Sequence, residues 1–503
     1  LRQIKLQNFI LEITVFTCGG LVMIYEIIGS RILSPFIGTS TYTWTSLIGV
    51  ILAALSLGYW IGGRWADKKP ELKILSMVLF FAGGLVGLTI VLKDLILSYI
   101  AESAFPIEIK SVIAATILFA PASVLLGFVS PYAIKIKTKS LEDTGKTAGK
   151  LFALSTVGSI IGTFSAGFFL IPFIGSTRTL YFISGTLIIL SLFLAPFSIS
   201  KLKIALLTIF FLGIGANEFF LYFQRNTLNF YDFDTEYSRI QIFETTHKKN
   251  GKAIRAMAID PYIYQSSMYI EDGQPASEYH RFYHLIRHFN PDFKKTLMIG
   301  GAGYSFPKQY LKSYPEAFID VVEIDPRMTA LAKRFFNLKE NTRMNIFHQD
   351  GRVFLNQSPA QQYDVVLIDA FTSLFSVPFQ LTTIEAVRGI DRVLKPDGIV
   401  IFNIGGAIVG ERSKFLKAEI NTYQRVFSDI KLFKVDPEKS LGETQNFILT
   451  ARKNKAIIES DSNDPFINTL LSHSIDFEPD PDIQILTDDL APVEYYNSFA
   501  QKR

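Results

Sequence analysis

Two carboxylates and a glycine run in the second half of the chain have the types and spacing to hold a nucleoside, and a third carboxylate could act as a base beside it. Gly300, Gly301 and Gly303 follow the apolar stretch Thr296–Ile299 and permit a tight turn that brings backbone close to a ligand. Glu323 closes a second apolar stretch about 20 residues on, where an acid can accept both hydroxyls of a ribose. A solvated acid at a strand end is the plain alternative. Asp350-Gly351 ends a third stretch, where an acid can face the exocyclic amine of adenine. The turn lacks the G-x-x-x-x-G-K pattern of a phosphate loop, which argues against a nucleoside triphosphate. Asp369 ends a fourth stretch. A carboxylate there can take a proton from an attacking amine as general base, or it can cap the following turn.

Other chemistries have weaker support. His280, His284 and His288 fall four apart and would share one helix face, but the H-e-x-x-H form with its catalytic acid is missing. They read as an ordinary polar face, and no metal site is expected. Cys18 is the only cysteine, so an intrachain disulfide and a thiolate metal cage are both excluded. The isoelectric point of about 8.7 reflects basic residues flanking apolar runs, which is an orientation signal and not a nucleic-acid footprint.

The elements that would position these side chains fall into two halves. Through Gln224 the 503-residue chain has 17 Lys/Arg and 10 Asp/Glu; beyond it there are 33 and 36. With a mean hydropathy of +0.26, that asymmetry excludes a single soluble globule and a disordered chain. It predicts a helical membrane domain over 1–224 and a soluble part beyond it. Seven apolar stretches are long enough to cross a bilayer: Phe9–Leu33, Thr43–Gly63, Ile74–Val91, Val112–Ile134, Leu151–Phe173, Leu180–Phe197 and Ile204–Phe223. The first lacks a small-x-small cleavage site, so it reads as a span and not as a signal peptide. Gly19-Gly20, Gly83-Gly84 and Gly158, Gly162 and Gly167 suit close helix packing, with Gly158-x-x-x-Gly162 offering a dimer face as the alternative. Glu26 and Arg31 near the end of the first span suggest an ion pair, a snorkelling arginine or a contact with a polar group.

Lys and Arg gather after the second, fourth and sixth stretches, which puts the N-terminus in the cytoplasm of a cell-membrane protein. Seven crossings would then deliver the soluble half to the non-cytoplasmic face.

In the soluble half, alternation over Tyr237–Phe243, Ala253–Ile259 and Met268–Ile270 predicts a small antiparallel sheet within 225–290, followed by a helical segment over Ser277–Phe289. Apolar strands alternating with helical patterns then predict a doubly wound, mostly parallel Rossmann-like sheet over 291–456. Its strands are Thr296–Gly300, Phe318–Glu323, Met344–Phe347, Tyr363–Asp369 and Gly398–Phe402, with Ile430–Val435 and Asn446–Thr450 after them. Ligands in such a sheet sit beyond the carboxyl ends of the strands. Residues 457–503 form a tail with no functional reading.

The soluble half resembles the spermidine synthase family of polyamine aminopropyltransferases, and the whole chain resembles its bacterial membrane-fused branch. The likeness rests on Thr235-Glu236-Tyr237, Val322-Glu323-Ile324-Asp325-Pro326, Asp350-Gly351 and Tyr363-Asp364 through Asp369. In the membrane half it rests on Tyr25-Glu26 with Arg31, on Gly58, Gly62-Gly63 and Asp67, and on Gly158, Gly162 and Gly167. Pro378–Thr383 followed by Leu394–Gly398 looks like the fused branch.

The resemblance implies a methyltransferase-like Rossmann domain whose donor is decarboxylated S-adenosylmethionine and whose acceptor is a small amine. It implies Glu323 on the ribose, Asp350 on the adenine, Gln265 at the nucleoside edge, Asp369 as base and Tyr283 orienting the amine. This chain departs from the family at three acids. Gly303 stands where the glycine turn carries one, Leu285 follows Tyr283-His284 where another is usual, and Ala370-Phe371-Thr372-Ser373 replaces the acid beyond Asp369. Three functions follow as alternatives. One is a membrane-tethered transferase of aminopropyl or related alkyl groups. The second is an S-adenosylmethionine-dependent methyltransferase acting on a membrane-associated substrate. The third is a non-catalytic membrane module that keeps the fold for binding or assembly. The expected partners are the lipid bilayer, the small amine or membrane-associated substrate and, through the glycine face, a second copy or a membrane complex.

Overall fold

A computed structural model describes the chain except for residues 1, 39, 139, 141, 196–200, 261–263, 371–376, 455–460 and 499–503, and the side chains of 2–6, 201–203, 205–206 and 209–210. Parts of the expected sixth span, of the tail and of the stretch after Asp369 therefore lie outside the described residues. The chain divides into two compact units: Leu1–Leu228 with Phe233–Arg239, and Asn229–Asp232 with Ile240–Arg503.

The first unit is a bundle of α1 (Arg2–Ile37), α2 (Thr41–Lys68), α3 (Leu72–Glu102), α4 (Ile107–Gly127), α5 (Val129–Lys137), α6 (Thr144–Ser165), α7 (Ser176–Leu194) and α8 (Lys201–Thr227). A π-helical stretch, Ala166–Ile174, extends α6 around Pro172, which has no N–H to donate. Six helical segments among the described residues are long and apolar enough to cross a membrane, not the seven expected. The seventh stretch, Ile204–Phe223, is helical within α8 but is not among the six. Its described side chains are mostly exposed, and Gly213 facing Val91 marks where α8 lies against α3.

The glycines do their work inside this bundle. A Cβ on Gly158 would run into the carbonyl oxygen of Phe16, and one on Gly162 into the backbone of Gly20. The Gly158/Gly162 face is thus occupied by α1, which corrects its reading as a dimer face. Arg31 lies 3.6 Å from Asp234 and donates to the Thr235 carbonyl.

The second unit opens with an antiparallel sheet in the order β1 (Tyr231–Asp234), β2 (Arg239–Thr246), β3 (Ala253–Ala258) and β4 (Tyr264–Tyr269). The expected helix over Ser277–Phe289 is instead a 3₁₀ stretch, Glu278–Leu285, running into the single α-turn α9 (Ile286–Phe289). Three-residue turns place Tyr279, Phe282 and Leu285 on one line, a spacing that an aromatic-rich segment fills when both of its faces are buried.

The remaining elements are β5 (Lys295–Ile299), α10 (Ser305–Ser313), β6 (Phe318–Val322), α11 (Pro326–Phe335), β7 (Met344–Phe347), α12 (Gly351–Gln357), β8 (Tyr363–Ile368), α13 (Ile384–Val393), β9 (Leu394–Gly406), α14 (Lys414–Gln424), β10 (Asp429–Lys434), β11 (Gln445–Arg452), α15 (Pro465–Leu471), β12 (Ser474–Ile475) and α16 (Val493–Ser498). The eight strands lie in the order β12-β10-β11-β9-β8-β5-β6-β7. The five from β9 to β7 run parallel, and β11, β10 and β12 are added antiparallel at the other edge. Leu297, Met298 and Ile299 on β5 and Val365 to Ile368 on β8 are at most 2% exposed, so both faces of these strands are covered. That explains their unbroken apolar runs. Asp325 caps α11 by accepting from Arg327 N, with Pro326 at the first helical position, and Asp350 caps α12. The carboxyl ends of β5, β6, β7 and β8 therefore lie side by side, each followed by the residues expected to bind.

Candidate active site

Gly300, Gly301 and Gly303 turn the chain directly beyond β5. Gly300 has φ +99°, and a Cβ there would lie 2.7 Å from the Asp369 carbonyl carbon, so the turn and the residue ending β8 touch through backbone. Two non-glycine residues, Ala302 (φ 43°) and Tyr304 (φ 52°), are also left-handed, a conformation that costs an L-residue about 1 kcal/mol or more. Tyr304 is held there by its side chain. The ring is fully buried under Gly301, and its hydroxyl lies 2.7 Å from Thr329 Oγ1.

Glu323 reaches from the end of β6 into this turn. Its Oε2 accepts from Gly301 N and Ala302 N, each at 3.0 Å, and its Oε1 from Asp325 N at 3.0 Å. Burial pushes the carboxyl above its usual range, although the three amides pull the other way. Two carboxylate oxygens offer about four acceptor sites, so the amides leave room for one more donor. Asp350 sits one strand further on. Its Oδ1 accepts from Arg352 N and Val353 N, and its Oδ2 lies 3.4 Å from Gln380 Nε2. Gly351 begins α12, and a Cβ there would strike Ile299. Gln265 on β4 is half-buried, with its Nε2 shielded from solvent and without a hydrogen-bond partner.

Asp369 is held from two sides. Its Oδ1 accepts from Asn403 Nδ2 at 3.0 Å and its Oδ2 from the Tyr279 hydroxyl at 3.1 Å. Asn446 Nδ2 in turn donates to Asn403 Oδ1 at 2.8 Å, which fixes which end of the Asn403 amide faces the carboxylate. His280 Nε2 is 3.9 Å from Oδ2, but burial, then the neighbouring His284, holds that imidazole down at about 3, so it is neutral. Burial raises Asp369 to about 6, with hydrogen bonds led by Asn403 opposing it. Tyr283 is fully buried; its hydroxyl is near enough to Asp369 for each to act on the other, without the geometry of a well-formed hydrogen bond. Burial and then the charge of Asp369 push it well above the usual phenol range.

The expected base and amine-orienting tyrosine thus converge, and Glu323 meets the glycine turn. The three histidines separate: His280 faces Asp369, while His284 Nδ1 lies 2.5 Å from the Tyr314 hydroxyl. Among the described residues no cluster of three metal-binding side chains exists. Gly303 has no room for a side chain. A Cβ would lie 2.6 Å from Ser266 Oγ, which is itself 2.9 Å from Ser305 Oγ. Tyr279, Asn403 and Asn446 were not anticipated. A lone asparagine within the apolar run of β9 was the available signal for Asn403.

Residues 277–457 match the family model described as the spermine/spermidine synthase domain. A polyamine aminopropyltransferase of Vibrio vulnificus is 29% identical over 203 residues, 40% of this chain and 65% of that protein. The chain therefore spans just under two thirds of that relative. Polyamine aminopropyltransferase 1 of Streptomyces coelicolor is 21% identical over 440 residues, covering 79% of this chain and 76% of its own. Among solved structures, a probable spermidine synthase from Corynebacterium glutamicum aligns at 19% identity with a TM-score of 0.44, covering 52% of this chain and 96% of that one.

Proposed function

We propose, from the match of residues 277–457 to the spermine/spermidine synthase domain, that the chain is a membrane-tethered transferase moving an aminopropyl or related alkyl group from an S-adenosyl donor to an amine. The observation that carries this is Asp369: a buried carboxyl raised to about 6, abutting the glycine turn where the donor would lie. A base poised near neutrality is what proton removal from an attacking amine requires. In the reaction the amine nitrogen bonds to the donor carbon next to the sulfonium, and that carbon–sulfur bond breaks. Its electron pair stays on sulfur as the neutral thioether methylthioadenosine, and the proton released from nitrogen passes to Asp369. Glu323 would accept from the ribose, Asp350 from the adenine amine, and Gln265 would meet the nucleoside edge. The donor needs no metal for this step.

One observation favours a second reading. Ser266 and Ser305 fill the space beside Gly303, so the described lining of this corner of the turn is neutral hydroxyl, and S-adenosylmethionine itself with methyl transfer becomes the competing donor chemistry. Calorimetry of the full chain in detergent separates the two. Binding of methylthioadenosine and decarboxylated S-adenosylmethionine with weak S-adenosylmethionine supports the first reading. Preference for S-adenosylmethionine supports the second, and binding of none supports a non-catalytic module.

The membrane address is a separate proposal: α8 makes a further crossing and the soluble half emerges on the non-cytoplasmic face. Within the first unit, Glu12 pairs with Lys137 and Lys150, and Asp67 with Lys135, at the end where α1 begins and α2 finishes. At the opposite end, Asp234 accepts from Ser176 N at 2.6 Å and lies beside Arg31, while Arg239 lies 3.4 Å from Asp94. The chain leaves α7 at the first end and is held at the second by residue 234. The 27 residues of α8 rise about 40 Å, enough for a crossing.

A further inference from the structure

Residues 461–498 lie beyond the stretch that matches the family model, yet one segment of them returns to the nucleoside edge of the sheet. Leu486 is fully buried. Its carbonyl accepts from Ile384 N at 2.8 Å and its N–H donates to Thr422 Oγ1 at 3.1 Å, which ties the segment to the start of α13 and to α14. Two residues on, Asp488 N donates to Glu385 Oε2 at 3.0 Å. The Asp488 side chain accepts from the Thr383 hydroxyl at 2.6 Å on Oδ1 and from Arg352 Nη2 at 2.9 Å on Oδ2.

Arg352 stands two residues after Asp350, and its own amide donates to Asp350 Oδ1. Its guanidinium is spent elsewhere: Nη1 lies 3.5 Å from the Gln380 carbonyl oxygen and 3.4 Å from Thr383 Oγ1, and Nη2 meets Asp488. The guanidinium thus fixes the backbone at Gln380, whose Nε2 lies 3.4 Å from Asp350 Oδ2. An amide nitrogen carries two N–H groups, so with one directed at Asp350 the other is left for a ligand. An acceptor and a donor side by side match the amine and the adjacent ring nitrogen of adenine. A 6-oxo purine presents the carboxylate with an oxygen instead. Asp488 matters to this pattern because a carboxylate and a guanidinium form strong charge-assisted hydrogen bonds. Arg352 released from Asp488 has Asp350 as its neighbour in the chain, and pairing there would occupy the lone pairs that the adenine amine needs.

We propose that the C-terminal segment is part of the nucleoside site: Gln380 reads the adenine edge beside Asp350, and Asp488 is a positioning residue that holds Arg352, and through it Gln380, in the arrangement that selects adenine over a 6-oxo purine. This rests on the nucleoside site of the transferase reading and adds to it a residue from beyond the matched domain.

The test measures, by calorimetry on the full chain in detergent, the affinities for methylthioadenosine and for its 6-oxo counterpart, methylthioinosine. Wild type should bind methylthioadenosine at least about tenfold more tightly, the usual worth of a matched base edge. Asp488→Asn should weaken methylthioadenosine by about threefold or more, as befits a charge pair with one member half exposed, and should leave methylthioinosine within about twofold. The preference therefore narrows, which a merely structural loss would not produce. Gln380→Ala should narrow it in the same way with the C-terminal segment untouched. Asp489→Asn removes the same charge one exposed residue further on and should leave both affinities as in wild type. Equal weakening of both nucleosides by Asp488→Asn, a preference unchanged in either variant, or the same loss in Asp489→Asn would overturn the proposal and leave the nucleoside site standing. So would a wild type that binds the two nucleosides equally. A wild type that binds neither would overturn the transferase reading along with it.

Discussion

Replacing Asp369 by asparagine should stabilise the soluble unit at neutral pH while destroying turnover. Asparagine preserves the shape, and its oxygen can still accept from Asn403 Nδ2 while its amide faces the Tyr279 oxygen. What it removes is a buried ionisable group whose folded-state value is about 6 against an ordinary 3.8. Below pH 3.8 the carboxyl is protonated in both folded and unfolded chains and costs nothing. As pH rises through that interval, the unfolded chain releases its proton while the folded one keeps it, and stability falls. Above about pH 6 the loss is complete. Roughly two pH units at about 1.4 kcal/mol each makes it about 3 kcal/mol. Hydrogen exchange of the full chain, read on peptides covering β8 and β9, measures this without a known substrate. At each pH, variant and wild type share the same intrinsic exchange rates, so their difference reports opening free energy. The difference should be near its minimum at pH 4, grow by about 1.4 kcal/mol per pH unit, and level off above pH 6. Turnover should fall by about 10²–10⁴, the usual share of a positioned base. A difference constant from pH 4 to 8 would show that Asp369 titrates normally and would remove the reason for naming it the base.

Glu323→Gln should weaken methylthioadenosine binding at least tenfold in calorimetry. Glu323→Ala should in addition loosen the glycine turn, because three buried amides lose their acceptor at about 1–3 kcal/mol each; unchanged affinity in the glutamine variant would refute the ribose assignment. Glu419 on α14 is fully buried with neither carboxylate oxygen nor the neighbouring Tyr423 hydroxyl hydrogen-bonded, and burial raises it well above 4.5. Wild-type stability should therefore fall by about 1.4 kcal/mol per pH unit from 4.5 upward until that value is reached, and Glu419→Gln should lack this slope in exchange on α14 peptides. A cysteine at Lys453, with Cys18 replaced by serine, should react with an impermeant maleimide in intact cells; labelling only after lysis would put the soluble half in the cytoplasm.

The parallel strands were legible because burial on both faces leaves an unbroken apolar run that has few other uses. The same logic located Glu323 and Asp369, which end such runs. The 3₁₀ stretch was not legible: Glu278–Leu285 has aromatic and histidine residues at spacings that satisfy both three and 3.6 residues per turn, and only packing chooses between them. The Asn403–Asn446 pair depends on antiparallel register between β9 and β11, where Asn446 lies opposite Gly405 and Ile448 opposite Asn403. No local pattern encodes a contact made across 43 residues. The glycine face of α6 was visible as a packing surface, but its partner, Gly20 of the same chain, was not. Tyr304 is a fourth case. Its left-handed backbone at a position suited to glycine becomes intelligible only once its ring is seen filling the space beneath Gly301.

The charge on the donor bears on how one isolated carboxylate can serve as base. In the proposed reaction an S-adenosyl donor brings a sulfonium cation to the turn beside Asp369. A positive charge a few ångströms away favours the ionised form of a carboxyl, so donor binding should lower Asp369 from about 6 and ready it to accept a proton. Transfer then converts the sulfonium to a neutral thioether. The stabilising charge disappears as the amine proton arrives, and the carboxyl returns to the buried, readily protonated state seen without ligand. A second fixed acid beside Asp369 would change this cycle, because like charges keep one member of a pair protonated whether or not donor is present. With no other carboxylate among the described groups acting on Asp369, the donor's own charge times the proton transfer.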